Sequence, residues 1–154
     1  MIPNHKNLIK KFNFSSKPSA KELTLMDNLC FDSSWSEKDY IEMKRGSFFN
    51  GWLLEISKKH FVGILVFNII FQELEILRLG IHPNWRKKGF AKLMIDHLEY
   101  LSRKKNIFSI FLEVHLSNYP AMSLYREKGF REIGRRKNYF KSPKGDAVLL
   151  KKSL

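Results

Sequence analysis

The sequence predicts a single layered α/β domain in which helices flank a mixed sheet. Three observations predict it. The 154 residues are 44% hydrophobic and 14% aromatic, which suits one domain burying roughly two-thirds of its unfolded surface. Hydrophobic periodicity runs in the order two helices, three strands, helix, strand, helix, two strands. A long helical stretch separates the third strand from the fourth, as a parallel crossover requires.

Residues 1–18 are rich in lysine, asparagine and serine and predict an arm, or an edge strand around residues 8–14, ahead of a main domain at 19–154. Ser19, Ala20, Lys21 and Glu22 fit a capping box that opens a short helix to about Leu29. A turn over residues 32–37 starts a second helix that runs to about Arg45. Residues 48–57, 60–71 and 73–81 are β-branched and aromatic enough for strands, with Lys58 and Lys59 punctuating the first pair. From about Lys88 to Lys104, Phe90, Leu93, Met94, His97, Leu98 and Leu101 form one apolar helical stripe. Residues 107–116 predict a strongly apolar strand, and 118–128 a short helix that stops at Gly129. Strands at 130–136 and 147–151, joined through Ser142, Pro143, Lys144, Gly145 and Asp146, finish the chain.

Composition narrows the function. The net charge of +13, from 28 basic and 15 acidic residues, suits polyanionic surroundings such as cofactor phosphates or RNA, or else a solvated surface. The single cysteine, Cys30, allows no internal disulfide, reads as buried filler and points to a reducing compartment. No apolar run reaches the length of a membrane span, and no clean signal-peptide core precedes Lys10, so a soluble cytoplasmic protein is expected. The five histidines lack metal-ligand spacing, and no metal is expected.

The sharpest local feature is Arg86, Lys87, Lys88, Gly89, Phe90 and Ala91, between an apolar strand and a helix. The first amides of a helix lack intrahelical partners and sit at the positive end of its dipole, which suits phosphate. Gly89 permits close approach of backbone and ligand. The G-x-x-x-x-G-K-[ST] and G-x-G-x-x-G loops are both absent. On these six residues alone, a phosphate cradle and a solvated basic helix start both stand.

The R-x-x-G-x-A pattern resembles the pyrophosphate-binding motif of the GNAT N-acetyltransferases. Further on, Leu112, Glu113, Val114, then Ser117 and Asn118, then Ala121, Leu124, Tyr125, Gly129 and Phe130 resemble the L-E-V-x-x-S-N…A-x-x-L-Y-x-x-x-G-F signature of the ribosomal-protein-alanine (RimI-type) branch. Trp35, Ser36 and Glu37 resemble that branch's F-x-W-S turn, and residues 135–140 its basic, tyrosine-bearing segment. The resemblance covers about residues 20–150 and implies a mostly antiparallel sheet. It also implies acetyl-CoA as cosubstrate, with direct transfer and no covalent enzyme intermediate.

Acetyl transfer to an amine needs a neutral nucleophile, a polarised carbonyl and an acid for the departing thiolate. Glu113, between apolar neighbours near a strand end, is either a satisfied structural carboxylate or a base; the resemblance implies a base acting through water, with Glu75 its rival. The resemblance likewise implies Tyr125 as general acid, and Asn118 as both helix cap and cofactor contact. It implies the backbone of Leu79, Gly80 and Ile81 as an added-strand partner for the pantetheine arm. Arg86, Lys87, Lys88, Gly89, Phe90, Ala91 and Lys92 are the implied pyrophosphate residues. Gly80, Phe90 and Ala91 depart from the residues most frequent at their positions.

An α-amino group has a pKa near 7.7–8.0 against about 10.4 for lysine, so at pH 7 roughly a tenth of it is already neutral. That suits a protein N-terminus, and the resemblance points to the N-terminal alanine of a ribosomal protein, with the basic surface helping near ribosomal RNA. Trp35, Glu37, Arg136 and Tyr139 are the expected acceptor lining. The alternatives are a small-molecule amine or lysine side chain as acceptor, or a basic RNA-binding module using residues 86–88 and 103–105.

Overall fold

In a computed structural model of the protein, residues 9–12, 18–57 and 60–154 are described. The rest of the predicted arm and the Lys58–Lys59 punctuation lie outside the described residues. Seven strands form one sheet in the order β1-β2-β3-β4-β5-β7-β6: β1 Ile9–Phe12, β2 Phe49–Ser57, β3 His60–Ile70, β4 Glu73–Ile81, β5 Ser109–His115, β6 Arg131–Lys141 and β7 Lys144–Ser153. The helices are α1 Ala20–Cys30, α2 Glu37–Arg45, α3 Phe90–Lys104 and α4 Tyr119–Glu127. Among the described pairings only β4 with β5 is parallel, and α3 makes that crossover.

Local chemistry sets the helix starts. Ser19 and Glu22 close the expected capping box on α1, with the Ser19 amide donating to Glu22 Oε2 at 2.7 Å. Ser36 and Asp39 close a second one on α2. α4 starts at Asn118, whose Oδ1 accepts from the Ala121 amide at 3.3 Å, and is followed by Gly129 at φ 85°.

Each sheet face carries its own core. On one face, Leu74, Ile76, Leu112 and Val114 pack against Met94 and Leu98 of α3 and Tyr125 of α4. On the other, Leu53, Ile64 and Val66 pack against Leu23 of α1 and Tyr40 of α2. β6 and β7 are longer than the sequence predicts, since β6 continues past Arg136 to Lys141 and β7 begins at Lys144. β6 is the rim of the sheet and almost wholly exposed, so no apolar alternation marks its second half.

Two irregularities position the site. The β3–β4 ladder shifts register between Val66 and Phe67, whose partners are Arg78 and Ile76, so Leu77 is an extra residue. The bulge turns Leu77 and Arg78 to the same face: Leu77 packs on the α1–α2 core and Arg78 reaches Asp27 of α1. The parallel β4–β5 ladder runs from Glu73↔Ser109 to Ile76↔Leu112 and goes no further. Residues 77–81 and 113–115 continue without pairing to each other, leaving a gap in the middle of the sheet.

Candidate active site

The gap has a backbone edge. The His82 amide donates to the Val62 carbonyl at 2.8 Å, and the register places Gly80 opposite Ile64 in the same phase. Antiparallel alternation therefore turns the backbone groups of Gly80 toward β3, and those of Leu79 and Ile81 into the gap. Of the expected trio, Leu79 and Ile81 thus turn backbone toward the gap and Gly80 turns its own toward β3. Gly80 serves packing instead. A Cβ there would lie 2.6 Å from Phe31 Cε2 and 2.9 Å from Cys30 Cβ, so only glycine lets the end of α1 close onto β4.

Beyond β4, a 3-10 turn at Pro83–Trp85 leads into the basic loop. Lys87 and Gly89 take positive φ, 58° and 81°, and Gly89 is the N-cap of α3 with no side-chain cap. A Cβ on Gly89 would meet nothing within 4 Å, so its conformation and not crowding calls for glycine. The first intrahelical bond runs from the Leu93 amide to the Gly89 carbonyl at 2.9 Å. The amides of Phe90, Ala91 and Lys92 thus have no intrahelical acceptor, and the helix dipole adds to their pull on an anion.

The side chains of the loop have other work. Arg86 donates from Nε to the Ile81 carbonyl at 3.0 Å and from Nη2 to the Cys30 carbonyl at 2.9 Å, bracing loop, strand end and α1 together. Its guanidinium is thereby committed to the fold. Phe90 is buried in the core under α3, so its bulk faces away from the loop. Lys88 Nζ lies 4.4 Å above the Trp85 ring, and Lys92 pairs with Glu127 at 2.6 Å.

Glu113 points to the opposite face, since Leu112 and Val114 on either side of it are in the α3–α4 core. It lines a cavity of about 260 Å³ with Glu75, Phe111, Arg136 and Leu149. Arg136 Nη1 lies 3.1 Å from Glu113 Oε1, and the Glu113 side chain is 18% exposed. The neighbouring Glu113 carboxylate, with some burial, holds the Tyr139 phenol above its ordinary pKa range. Glu75 accepts from Asn68 Nδ2 at 3.2 Å in the same cavity. Both candidate bases therefore share one hollow, and Glu113 is the one beside the gap, directly after the last β5 residue paired to β4.

Tyr125 belongs to the α3–α4 face, packed edge-on against Phe130 with ring centroids 5.5 Å apart. Burial pushes its hydroxyl pKa well up, which keeps the proton on the phenol. Of the expected acceptor lining, Arg136 and Tyr139 stand at Glu113. Trp35 lines a second hollow of about 540 Å³ with Met43, Phe49 and Leu77. Glu37 is exposed at the start of α2 and lines neither hollow.

Sequence reasoning missed a buried pair. Asp27 is fully buried and accepts from Arg78 Nε at 2.8 Å and Nη2 at 2.7 Å, from the Tyr40 hydroxyl at 2.9 Å and from the Trp35 amide at 2.7 Å. The signal was present: Asp27 falls on the buried stripe of α1 between Leu23 and Cys30, and Arg78 interrupts an apolar strand. Among the described residues no group of three or more His, Cys, Asp or Glu is placed to hold a metal ion. No helix among them is long and apolar enough to cross a membrane.

Residues 20–130 match the acetyltransferase (GNAT) family. The chain belongs to that family. It is an acetyl-CoA-dependent N-acetyltransferase by membership, and its sheet and helices are those of the GNAT fold. It is 25% identical over 118 residues to the [ribosomal protein bS18]-alanine N-acetyltransferase of Escherichia coli K12, covering 75% of this chain and 78% of that one. A putative enzyme of the same name from Bacillus subtilis is 25% identical over 120 residues, covering 78% and 80%. The solved ribosomal-protein-S18-alanine N-acetyltransferase of Escherichia coli superposes with a TM-score of 0.82 at 19% identity, over 95% of this chain and 94% of that one. Arabidopsis thaliana NAA60 in complex with acetyl-CoA gives 0.77 at 18% identity, over 95% and 97%.

Proposed function

We propose that the protein acetylates the free α-amine of a protein N-terminus, and that its target is the N-terminal alanine of a ribosomal protein. One observation carries this reading: the two candidate catalytic side chains lie on opposite faces of the sheet, on either side of the β4–β5 gap. Acetyl-CoA supplies a thioester-activated acetyl group. The residues suit it: the Phe90, Ala91 and Lys92 amides beside the open space at Gly89 suit a pyrophosphate, and the backbone of Leu79 and Ile81 suits an extended amide-bearing arm. Both features favour a cofactor that threads the gap from the α3 face.

On the other face Glu113 accepts the proton of the acceptor amine, directly or through one water, and Arg136 and Tyr139 hold its carboxylate in place. Tyr125, kept protonated by burial on the α3–α4 face, gives its proton to the leaving sulfur. Asn118 caps α4 and so orients the helix that carries Tyr125. A cavity bearing Glu73, Glu75 and Glu113 in a chain of net charge +13 favours a cationic acceptor over an anionic one. The similarity to the bacterial bS18-alanine enzymes supports the alanine target; in this reading the protein works in the cytoplasm, and its net charge of +13 favours a place close to ribosomal RNA. Residues 19–154 constitute the catalytic domain in this reading, and Ile9–Phe12 ahead of it supplies β1 to the sheet.

The test is acetyl-CoA turnover with short peptides bearing free N-terminal Ala, Ser or Met, beside N-blocked peptides that carry lysine. Transfer to the free Ala terminus alone is expected. Transfer to blocked, lysine-bearing peptides makes the protein a side-chain acetyltransferase. Acetyl-CoA binding without transfer to any peptide makes the acceptor a small-molecule amine.

A further inference from the structure

We propose that Arg78, clamped by Asp27, is a positioning residue for the acceptor: it fixes residues 31–36 so that Trp35 forms one wall of an acceptor subsite beside Glu113. This rests on the N-terminal acetylation reading above for the identity of the acceptor.

The β4 bulge makes the device possible. With Leu77 in a regular ladder, alternation would turn Arg78 toward the α3 core; with the bulge, Leu77 and Arg78 face the α1–α2 side together. The guanidinium meets Asp27 through two parallel bonds, and its Nη2 also donates to the Ser33 carbonyl at 2.9 Å. Its plane stacks 3.8 Å over the Phe31 ring and lies 4.9 Å from that of Trp35. Asp27 completes the arrangement by accepting from the Trp35 amide at 2.7 Å and the Tyr40 hydroxyl at 2.9 Å, while the rings of Trp35 and Tyr40 meet edge-on at 5.6 Å. The α1–α2 connection has little regular structure, and the pair satisfies its backbone from both ends: a carbonyl through Arg78 and an amide through Asp27.

A buried ion pair is a poor means of gaining stability, because desolvation cancels most of the attraction. What it supplies is direction. The forked guanidinium and the carboxylate have fixed bonding angles, and Lys does not reproduce them. The direction matters because of what the connection borders. Trp35 lines the second hollow together with Leu77. Leu77 directly follows Ile76, the last β4 residue paired to β5, just as Glu113 directly follows Leu112. Leu77 and Glu113 are therefore neighbours across the two strands on one face of the sheet, at the mouth of the gap, and Leu77 is the residue that joins the Trp35 hollow to the base. Arg86 grips the Cys30 carbonyl at the start of the same connection, so the cofactor loop and the acceptor wall share an anchor point.

The experiment measures initial rates with acetyl-CoA and a short free-N-terminal-alanine peptide, each varied in turn, for wild type, Arg78→Lys, Trp35→Ala and the double variant Asp27→Asn/Arg78→Met. The double variant removes both charges together, which avoids leaving one buried and unpaired. Expected is a peptide KM raised about tenfold or more, with the acetyl-CoA KM within about twofold and kcat within about threefold. Arg78→Lys should not restore the peptide KM. Adding Trp35→Ala to the double variant should raise it little further, as expected of residues acting through one element. Amide exchange supplies the independent readout: residues 31–36 should exchange at least about tenfold faster in the double variant, with α3 and β5 still protected. An unchanged peptide KM in a folded variant overturns the proposal. So does a parallel loss in acetyl-CoA KM, which is what a loosened fold gives. If wild type acetylates no N-terminal peptide, the reading of the acceptor falls; unchanged exchange at 31–36 would separately overturn the clamp.

Discussion

Gly80→Ala is a small change with a large expected effect. The added methyl would lie 2.6 Å from Phe31 Cε2, closer still to Phe31 Cζ, and 2.9 Å from Cys30 Cβ, all well inside van der Waals contact. Phe31 cannot swing clear without losing its stack under the Arg78 guanidinium at 3.8 Å, and Cys30 is held by the Arg86 bond to its carbonyl. The helix end must therefore lift off β4, an overpacking cost of about 1–3 kcal/mol. Alanine's smaller backbone entropy loss returns only about 0.5–1 kcal/mol. At the unfolding entropy usual for a chain of this length, the net loss of up to about 2.5 kcal/mol lowers Tm by up to about 8 °C. Thermal unfolding by circular dichroism reads it, and Phe31→Leu in the same chain should recover much of the loss by removing the ring edge. A Gly80→Ala protein that melts at or above the wild-type temperature would refute the close-approach argument. A normal double variant paired with an equally normal single one would do the same.

Glu113→Gln should lower kcat by about 10²–10⁴ while calorimetry shows acetyl-CoA binding intact; unchanged turnover removes Glu113 from the mechanism. Tyr125→Phe should depress kcat by a comparable factor without lowering Tm, since only a hydroxyl leaves an apolar surround, and a normal rate would make Tyr125 a packing residue. Burial, reinforced by the Asp27 carboxylate, pushes the Cys30 thiol up to about 12. The folded state holds that proton longer than the unfolded chain, whose thiol titrates near 8.5. The stability it contributes is thus complete below about pH 8.5 and is lost as pH rises toward about 12. At pH 8 a disulfide-exchange reagent should leave native Cys30 untouched and label it fully in urea; rapid labelling of the folded protein would contradict this.

The legible parts of the chain were those in which one physical signal dominates. The Ser19 capping box, the α3 stripe and the glycine stop after α4 each depend on a few adjacent residues, and each is found where its residues predict. The loop glycine was legible through its motif, whereas the contact of Glu113 with Arg136 was not announced by either segment. The rest depends on contacts distant in the chain. Arg78 and Asp27 lie 51 positions apart, and no local pattern announces that they meet. The bulge at Leu77 reverses the alternation of β4 midway, so side chains read from periodicity alone fall on the wrong face beyond it. Gly80 looked like a concession at the cofactor edge because the reason for it, Phe31, sits in another element. Glu37, among the expected acceptor lining, stands exposed at the start of α2.

β6 has a bearing on how the protein behaves at high concentration. A terminal strand of 11 residues, nearly all exposed, is a template onto which another chain can add its own strand. Here the template carries Arg131, Arg135, Arg136, Lys137 and Lys141, opposed within the strand only by Glu132. Two such rims brought together would set cation against cation along their whole length, and salt would weaken that repulsion within a Debye length of about 8–10 Å. The positive balance thus works as insulation against self-polymerisation, strongest in dilute buffer and fading as ionic strength climbs.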